Sequence, residues 1–440
     1  MTVRRNLVVG LGKTGLSCAR WLVARGEAVA VTDSRAEPPG LDALRALGSA
    51  VVTHLGGFDL SALQSADRIV LSPGVSRAEP LVRAALERGL PVVGDVELFA
   101  RASAAPTVAI TGTNGKSTVT TLVAEMAQAA GLRVLAGGNL GEPALDLLTR
   151  PVPELYVLEL SSYQLESTDS LSLRAAVVLN VTPDHMDRYA SATAYAAAKA
   201  RIYSRASVAV VNEDDPVVRE MPAPGQRRTG FSIAGVADFS IVAGTAGPAL
   251  ARGGVALLPL SEMRLPGRHN AANALAALAI GSELGLALEP MLATLRSFGG
   301  LAHRTQVVAE RGGVRFVDDS KGTNVGATLA AVEGLAEPLV VIAGGDGKGQ
   351  DFTPLAAAFR GRVRHVVLIG RDRMRLAAAL EGACPCEFAD DMDAAVAAAA
   401  RVARAGDLVL LSPACASLDM FRDYAARGDA FAAAARRLAA

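Results

Sequence analysis

The sequence predicts an α/β protein built from three doubly wound domains, each a mostly parallel sheet covered by helices. Short apolar strands alternate with helical patterns along the chain, and several strands end in a glycine-containing turn that opens a helix. The 440 residues exceed what one hydrophobic core usually organises. A small-residue linker at 101–106 and the Phe298-Gly-Gly300 turn predict domains at 1–94, 95–300 and 301–440.

The composition narrows the classes of partner. A formal net charge of zero leaves no global basic field to hold nucleic acid, so anionic ligands must bind at local sites. Arginines interrupt the alanine-rich stretches near the C-terminus, which excludes them as membrane spans. Four cysteines are too few for a disulfide framework, and the N-terminal stretch lacks the pattern of a signal peptide. We therefore expect a reduced, cytoplasmic protein.

The first unit carries a strict G-x-G-x-x-G motif, Gly10-Leu-Gly-Lys-Thr-Gly15, between a strand at 6–9 and a helix from Leu16. This fingerprint is typical of dinucleotide-binding folds and raises the hypothesis of a nicotinamide oxidoreductase. The same turn can hold any nucleotide diphosphate, or it can be purely structural. The candidate ligand residues at these strand ends are Thr14, Gly15, Asp33, Ser34, Arg35, Ser72 and Gly74.

A second glycine turn follows the strand at 108–111 and opens a helix. Glycines let successive backbone N–H groups face inward, and the helix N-terminus points at the same spot, so the segment predicts a cradle for the phosphates of ATP. It departs from the common G-x-x-x-x-G-K-[ST] pattern because Ile110 stands at the first glycine. The ATP-binding candidates here are Gly112, Thr113, Asn114, Gly115, Lys116, Ser117 and Thr118.

A magnesium site is predicted beside this loop. Glu159 and Ser161 lie at the end of one strand, and His185 lies just beyond another. Mg²⁺ prefers oxygen ligands, so Glu159 is the natural carboxylate, although it could equally belong to a buried polar network. His185 alone would more often be structural. Lys199, on a helix predicted at 191–203, reads from its sequence context as an exposed lysine.

Later segments contain further candidate features. The glycine- and proline-rich region at 222–260 predicts a small antiparallel appendage. Asn270 is placed either to cap a helix or to contact a nucleotide base. In the third unit, Lys321, Lys348 and Ser417 follow strand ends, and several lysines at one sheet edge suggest capture of carboxylate or phosphate.

Together these motifs resemble the Mur ligase family of peptidoglycan synthesis over essentially the whole chain. The motifs that carry the resemblance are Gly112-Thr-Asn-Gly-Lys-Ser-Thr118, Leu158-Glu-Leu-Ser-Ser162, Asn180-Val-Thr-Pro-Asp-His185, Lys199, His269-Asn-Ala-Ala-Asn273, His303-Arg304 and Asp319-Ser-Lys321-Gly-Thr323. Within the family, the first glycine motif and Leu411-Ser-Pro-Ala-Cys-Ala-Ser-Leu-Asp419 are most similar to the D-glutamate-adding members.

The resemblance implies a Rossmann-like UDP-binding domain, a P-loop-type ATPase domain and a Rossmann-like C-terminal domain that binds an amino acid. It implies an ATP-dependent amide ligase that adds D-glutamate to UDP-N-acetylmuramoyl-L-alanine through an acyl phosphate. Its partners are then small molecules only, and we expect a monomer. An L-glutamate-adding variant, a nicotinamide oxidoreductase and a non-catalytic nucleotide-binding module are the rival hypotheses.

The resemblance also implies roles for individual residues. It makes Lys116, His185 and Lys199 catalytic, and it implies that Lys199 carries a carbamate derived from CO₂. The implied Mg²⁺ ligands are Ser117, Glu159, His185 and Lys199. The implied UDP-sugar contacts are Asn139 and Gln164, and the implied adenine-nucleotide contacts are Asn273, Arg304 and Asp319. The implied amino-acid contacts are Lys321, Thr323, Lys348, Ser417 and Tyr424, the last often a phenylalanine in the family.

Overall fold

The computed structural model describes residues 4–48, 51–265 and 267–439, and its three sheets confirm the predicted α/β class with three units. All four cysteines are free thiols. Of the helices that the structure describes, none combines the length and apolar character needed to cross a bilayer.

The first unit is a five-stranded parallel sheet. Its strands are β1 Arg5–Val9, β2 Ala28–Asp33, β3 Val51–Leu55, β4 Arg68–Leu71 and β5 Val92–Val93, and its helices are α1 Lys13–Ala24, α2 Leu41–Arg45 and α3 Pro80–Glu87, with a 3₁₀ turn at Leu60–Ser65. The strand order β3-β2-β1-β4-β5 reverses direction between β1 and β4. Parallel α/β sheets bind ligands at such a switch point, which here lies at the glycine motif.

The central unit is a nine-stranded sheet. Its strands are β6 Thr107–Thr111, β7 Val134–Gly138, β8 Leu155–Glu159, β9 Ala175–Val178, β10 Ala209–Asn212, β11 Arg228–Phe231, β12 Phe239–Gly244, β13 Gly247–Arg252 and β14 Val255–Pro259. Its helices are α4 Asp95–Ala102, α5 Lys116–Ala129, α6 Ala144–Leu147, α7 Ser162–Leu165, α8 Ala192–Ala200, α9 Pro216–Arg219, α10 Arg268–Glu283 and α11 Leu288–Ser297, with 3₁₀ turns at Arg201–Tyr203 and Leu260–Glu262.

The order of this sheet is β14-β13-β12-β11-β10-β9-β6-β8-β7, with β6 flanked by β8 and β9, both parallel to it. The predicted appendage at 222–260 is only partly correct. Strands β12 to β14 are antiparallel, but β11 is parallel, and all four extend the main sheet because Phe231 pairs with Phe239.

The third unit is a six-stranded sheet. Its strands are β15 Gln306–Arg311, β16 Val314–Asp318, β17 Leu339–Gly344, β18 Val363–Ile369, β19 Cys386–Phe388 and β20 Leu408–Leu411. Its helices are α12 Val325–Gly334, α13 Thr353–Phe359, α14 Arg373–Ala379, α15 Met392–Val402 and α16 Tyr424–Ala439. The order is β15-β16-β20-β17-β18-β19, parallel except for the β15–β16 hairpin, which turns at the predicted Gly312-Gly pair.

The first two units share one hydrophobic core. Leu22 of α1, Phe99 of α4, Leu145 of α6 and Tyr156 of β8 belong to a single buried cluster. The third unit has its own two clusters, one on each face of its sheet. Apolar packing therefore fixes the first unit against the central one, whereas polar side chains make the contacts between the central and third units that are described below.

Candidate active site

The phosphate loop joins β6 to α5, and two of its carbonyls accept hydrogen bonds from its own lysine. Lys116 Nζ donates to the carbonyls of Gly112 and Thr113, each at 2.9 Å. Gly115 has φ +85°, and a Cβ there would lie 2.5 Å from Asn273 Oδ1, so both backbone and space favour glycine. Burial lowers the pKa of the Lys116 ammonium.

Asn180, which follows β9, stabilises the conformation of this loop through three hydrogen bonds. Its Oδ1 accepts from the Asn114 amide at 2.8 Å, and its Nδ2 donates to the Asn114 carbonyl at 3.1 Å. Its own carbonyl accepts from the Thr113 amide at 2.9 Å. Asn180 had no role predicted from the sequence, although it opens one of the motifs that carry the family resemblance.

Glu159, at the end of β8, has one unpartnered carboxylate oxygen. The side chain is 2 % exposed, and its Oε1 accepts from Asn139 Nδ2 at 2.6 Å. Its Oε2 is buried and has no hydrogen-bond partner. A buried carboxylate oxygen normally has a partner, so this atom is the place where a cation would fit. Asn139 thus orients Glu159 and lines the same cavity.

Lys199, in the last turn of α8, is buried rather than exposed, so the interpretation from its sequence context alone was wrong. It is 1 % exposed, its Nζ donates to the Gly112 carbonyl at 2.8 Å, and it lies 4.5 Å from the centroid of the Tyr195 ring. Burial, with a smaller contribution from the Lys116 charge, lowers the pKa of Lys199 well below its usual range. The amine of Lys199 therefore faces the phosphate loop, with its neutral form favoured by burial.

His185 lies in the loop between β9 and α8, with a left-handed backbone at φ +59°. Burial lowers the pKa of its ring to about 4, so the imidazole is neutral at pH 7. The neighbouring Asp184 carboxylate is 3.7 Å from His185 Nε2. His185, Glu159, Lys116, Ser117 and Lys199 all line one cavity of about 240 Å³.

A second cavity of about 260 Å³ adjoins the first and contains the residues predicted for adenine nucleotide, since Asn273, Arg304 and Asp319 all line it. Asn270 lines it too, and the helix-cap interpretation of Asn270 is wrong, because α10 begins at Arg268 with Gly267 as its N-cap. Burial raises the pKa of Asp319 to about 7. The two cavities adjoin each other, because four residues line both: Asn114, Gly115, Arg304 and Lys321.

The third unit brings Lys321 and Thr323 to this place. Both line the cavity that holds Glu159 and Lys199, and burial lowers the pKa of Lys321 to about 8. Lys321 Nζ lies 4.0 Å from the centroid of the Tyr424 ring. Ser417 is buried and does not line either cavity, but the Asp346–Ala416 bridge ties its segment to the Lys348 turn.

Polar contacts close the third unit onto the central one. Arg304 donates to Ser117 Oγ at 2.7 Å, and Lys348 Nζ pairs with Asp184 Oδ1 at 2.8 Å. Asn324 Nδ2 donates to Asp184 Oδ2 at 3.1 Å and to Asn114 Oδ1 at 3.2 Å. Asp184 and Asn324 were not predicted from the sequence, although Asp184 lies within a quoted motif and Asn324 caps α12 by accepting from the Ala327 amide.

A third cavity lies at the glycine motif of the first unit. Every residue that the strand ends predicted there lines it: Thr14, Gly15, Asp33, Ser34, Arg35, Ser72 and Gly74. Asp33 accepts from the Leu11 amide at 2.7 Å and pairs with Arg35 at 2.8 Å, and the pKa of Asp33 is lowered to about 2 because these hydrogen bonds outweigh its burial.

Gln164 lies below the surface rather than in this cavity. It is 2 % exposed and completes a capping box with Ser161 at the start of α7. Its Nε2 donates to Asp95 Oδ2 at 2.9 Å. Asp95 is itself 1 % exposed, and burial raises its pKa to about 6.

Asp95→Asn is expected to change how stability depends on pH. A carboxyl that binds its proton more tightly in the folded state contributes stability at low pH, which is lost as pH rises from about 4 to about 6 and amounts to roughly 3 kcal/mol. The free energy of unfolding of the variant relative to the natural protein should therefore rise across this window. Urea titrations followed by Trp21, the single tryptophan, would measure it; a difference that is independent of pH would contradict the raised pKa.

Lysines in this chain lie in or beside the cavities. Of 44 basic side chains only five are lysines, and the rest are arginines. Lys13 lines the first-unit cavity, and Lys116, Lys199 and Lys321 line the cavity at the phosphate loop. Lys348 lines neither of these cavities but pairs with Asp184, which lines the cavity at the phosphate loop.

Three family models match the chain in succession. Residues 4–94 match the Mur ligase MurD-like N-terminal domain, residues 110–281 match the Mur ligase middle domain, and residues 303–415 match the Mur ligase glutamate ligase domain.

Curated relatives match over nearly the full length. The UDP-N-acetylmuramoylalanine--D-glutamate ligase of Nitrosococcus oceani is 51 % identical, over 98 % of this chain and 96 % of its own. The enzyme of the same name from Methylobacillus flagellatus is 53 % identical, over 97 % and 96 %. Among solved structures, the UDP-N-acetylmuramate-alanine ligase MurC of Thermotoga maritima has the same fold, with a TM-score of 0.61 and 19 % identity over 99 % of both chains.

Proposed function

Because this chain belongs to the Mur ligase family, we propose that it joins D-glutamate to UDP-N-acetylmuramoyl-L-alanine while ATP is converted to ADP and phosphate. The product is a precursor of peptidoglycan. The cavity of about 240 Å³ at the phosphate loop supports this conclusion most directly. It is lined by Lys116 of the loop, by Glu159 with its unpartnered oxygen, and by Lys321 and Thr323 of the third unit.

The proposal assigns a place to each of the three substrates. The cavity of the first domain, at 1–94, holds the uridine diphosphate, and the cavity lined by Asn273, Arg304 and Asp319 holds the nucleoside of ATP. Glutamate binds in the C-terminal domain, at 301–440, to Lys321, Thr323, Lys348, Ser417 and Tyr424. Local charge supports this assignment: the net charge of the chain is zero, yet Lys116, Lys199, Arg304 and Lys321 surround the phosphate loop.

Mg²⁺ fits the cavity as the partner of the phosphates. Within the described ranges, no group of three or more His, Cys, Asp or Glu side chains is placed to hold a metal ion. Mg²⁺ commonly takes only one or two carboxylates and completes its shell with phosphate oxygens and water. Glu159 Oε2, the neutral His185 ring and Ser117 are the groups that would hold it, and when bound it neutralises charge on the transferred phosphoryl group.

Carbamylation of Lys199 would supply further oxygen ligands. The amine nitrogen would form a bond to the carbon of CO₂, one C=O electron pair would pass to oxygen, and the nitrogen would release a proton to water. The nearby positive charge of Lys116 favours the resulting anion, and the carbamate N–H can still donate to the Gly112 carbonyl. The chain's place in the family and the burial of Lys199 support this modification.

The first chemical step forms an acyl phosphate. A carboxylate oxygen of the L-alanyl group attacks the γ-phosphorus, and the bond from that phosphorus to the oxygen bridging to the β-phosphate breaks to release ADP. Lys116 and the loop amides at the α5 N-terminus stabilise the charge on the phosphoryl oxygens. Arg304, which donates to Ser117 across the domain boundary, brings a second cation to the same phosphates.

The second step forms the amide. The neutral amine of glutamate attacks the acyl carbon, a tetrahedral intermediate forms, and the bond from carbon to the phosphate oxygen breaks while the nitrogen gives up one proton to the departing phosphate. Lys321 and Lys348 hold the glutamate carboxylates, and the Lys348 ammonium has donors left for this beside its pair with Asp184. His185 helps to place the metal rather than acting as a base, because a ring with a pKa of about 4 accepts a proton only weakly.

One assay tests the proposal. Phosphate release from ATP should require UDP-N-acetylmuramoyl-L-alanine and D-glutamate together, and L-glutamate should not replace the D enantiomer. Phosphate release in the absence of both substrates would contradict the assigned reaction, and so would turnover with L-glutamate in place of D-glutamate. A cytoplasmic, monomeric enzyme and the domain boundaries 1–94, 95–300 and 301–440 are part of the proposal, and light scattering measures the oligomeric state.

A further inference from the structure

We propose that Arg188 is a positioning residue. It sets the position of the first-domain loop at 72–74, where the UDP-sugar is proposed to bind, relative to His185 of the central domain. This inference rests on the proposed function, since it assigns the nucleotide of the substrate to one end of the contact chain and the phosphoryl transfer to the other. Arg188 touches neither end of the reaction itself.

The guanidinium of Arg188 makes three contacts at once and is 11 % exposed. One nitrogen, Nη1, donates to the Pro73 carbonyl at 2.8 Å, across the boundary between the first two units. The other, Nη2, donates to Glu166 Oε2 at 2.8 Å. The guanidinium carbon lies 4.0 Å from the centroid of the Tyr163 ring, so the planar group also covers that ring.

The first-domain end of this chain of contacts is the substrate loop itself. Pro73 stands between Ser72 and Gly74, and all three line the cavity assigned to uridine diphosphate. Ser72 Oγ donates to the Gly10 carbonyl at 2.6 Å, which joins this loop to the glycine motif. A shift of the Pro73 carbonyl would therefore also move the residues that line the nucleotide cavity.

The central-domain end is the metal side of the active site. The Tyr163 ring lies with its centroid 5.0 Å from that of His185, in an edge contact at 60°. Tyr163 also stacks on Tyr189 at 6.0 Å, and Tyr189 packs on Tyr195, the ring beside Lys199. The Arg188 amide donates back to the His185 carbonyl at 3.0 Å. Arg188 thus holds both the ring and the backbone of the His185 loop.

Arginine suits this place because its planar fork can donate in two directions while its face covers an aromatic ring. A lysine could keep the ion pair with Glu166, but a single ammonium cannot also reach Pro73 and cover Tyr163 in this geometry. The substrate must place its nucleotide at Pro73 and its carboxylate at the γ-phosphate simultaneously. A displacement of ~1 Å between reacting groups lowers rates by about 10²-fold, so loss of the fork should act on turnover more than on binding.

Arg188→Lys in the full-length protein tests this. With all three substrates saturating, kcat is expected to fall about 10- to 100-fold, whereas the Kd of UDP-N-acetylmuramoyl-L-alanine from calorimetry changes less than about threefold. The matched control is Arg77→Ala, which removes another hydrogen bond across the same boundary, from Arg77 Nη1 to the Glu166 carbonyl at 3.1 Å, without touching Tyr163. Its kcat should stay within about twofold of the natural protein.

A normal kcat in Arg188→Lys would overturn the inference, as would an equal loss in Arg77→Ala, which would reduce the contact to general attachment of the two domains. If Arg188→Lys fails to fold, Tyr163→Leu removes the ring between Arg188 and His185 while keeping the arginine. It should lower kcat with little change in Kd, and an unchanged kcat would refute the coupling. Absence of turnover in the natural protein would instead count against the proposed function.

Discussion

Lys116→Met is expected to lower kcat for phosphate release by about 10³-fold, because it removes the cation that faces the transferred phosphoryl group. Lys116 Nζ donates to the Gly112 and Thr113 carbonyls, so the natural side chain is already held at the mouth of the loop. Methionine keeps the length of the stem and leaves those two carbonyls without a donor. The effect is measured with all three substrates saturating, by coupled detection of phosphate.

Lys116→Arg separates charge from geometry. It keeps the cation, but a branched guanidinium cannot lie between two carbonyls of a tight loop as a compact ammonium does, so activity should remain well below that of the natural protein. The Kd of UDP-N-acetylmuramoyl-L-alanine should be unchanged in both variants, which confirms that the first domain and its cavity are intact. Retention of more than about a tenth of kcat in Lys116→Met would contradict the role of the lysine.

Lys199→Ala is expected to be nearly inactive, with kcat reduced at least about 10²-fold, and to recover in part when acetate or formate is added. Removing the side chain leaves space beside Gly112 that a small carboxylate can fill, and such an anion replaces the oxygens of the carbamate. Lys116→Ala is the matched control, since the same anions should not restore it. Rescue of both variants would show a general salt effect.

The carbamate also has a readout apart from turnover. Natural protein equilibrated with ¹³C-bicarbonate should give one carbamate carbonyl signal in the carbon NMR spectrum, and Lys199→Ala should lack it. Acidification should remove the signal, because protonation of the nitrogen releases CO₂. An absent signal in the natural protein would leave Lys199 as an unmodified buried amine and contradict the proposal.

Some features of this site were predictable because each depends on a few consecutive residues. A strand, a glycine turn and a helix N-terminus together locate the phosphate loop, and the ends of parallel strands locate the first-domain cavity. Glu159 was predictable as a carboxylate at such an end. Its unpartnered oxygen was not, because that depends on how Asn139, from another strand end, occupies the first oxygen.

Features that depend on packing were not predictable. The pattern of apolar residues in the alanine-rich helix α8 does not show which side of the helix faces the core. The sequence around Lys199 therefore predicted an exposed side chain. The sequence predicted Asn270 as a helix cap or as a base contact. The actual N-cap is Gly267, whose positive φ of +106° cannot be recognised from the sequence, because other turns also contain glycine. The pair of Asp184 with Lys348 is separated by 164 residues and exists only because two domains dock.

Because all five lysines lie in or beside the cavities, reagents that modify side-chain amines would act at these sites and leave the other basic side chains unchanged. Arginines carry the remaining basic charge, and a guanidinium with a pKa above about 12 does not react with reagents that acylate or reductively methylate amines. Apart from the amino terminus, only Lys13, Lys116, Lys199, Lys321 and Lys348 can be labelled. ¹³C-methyl groups introduced at those five amines would therefore place four probes at cavities and one, on Lys348, at its contact with Asp184, and protection by each substrate in turn would map its occupancy residue by residue.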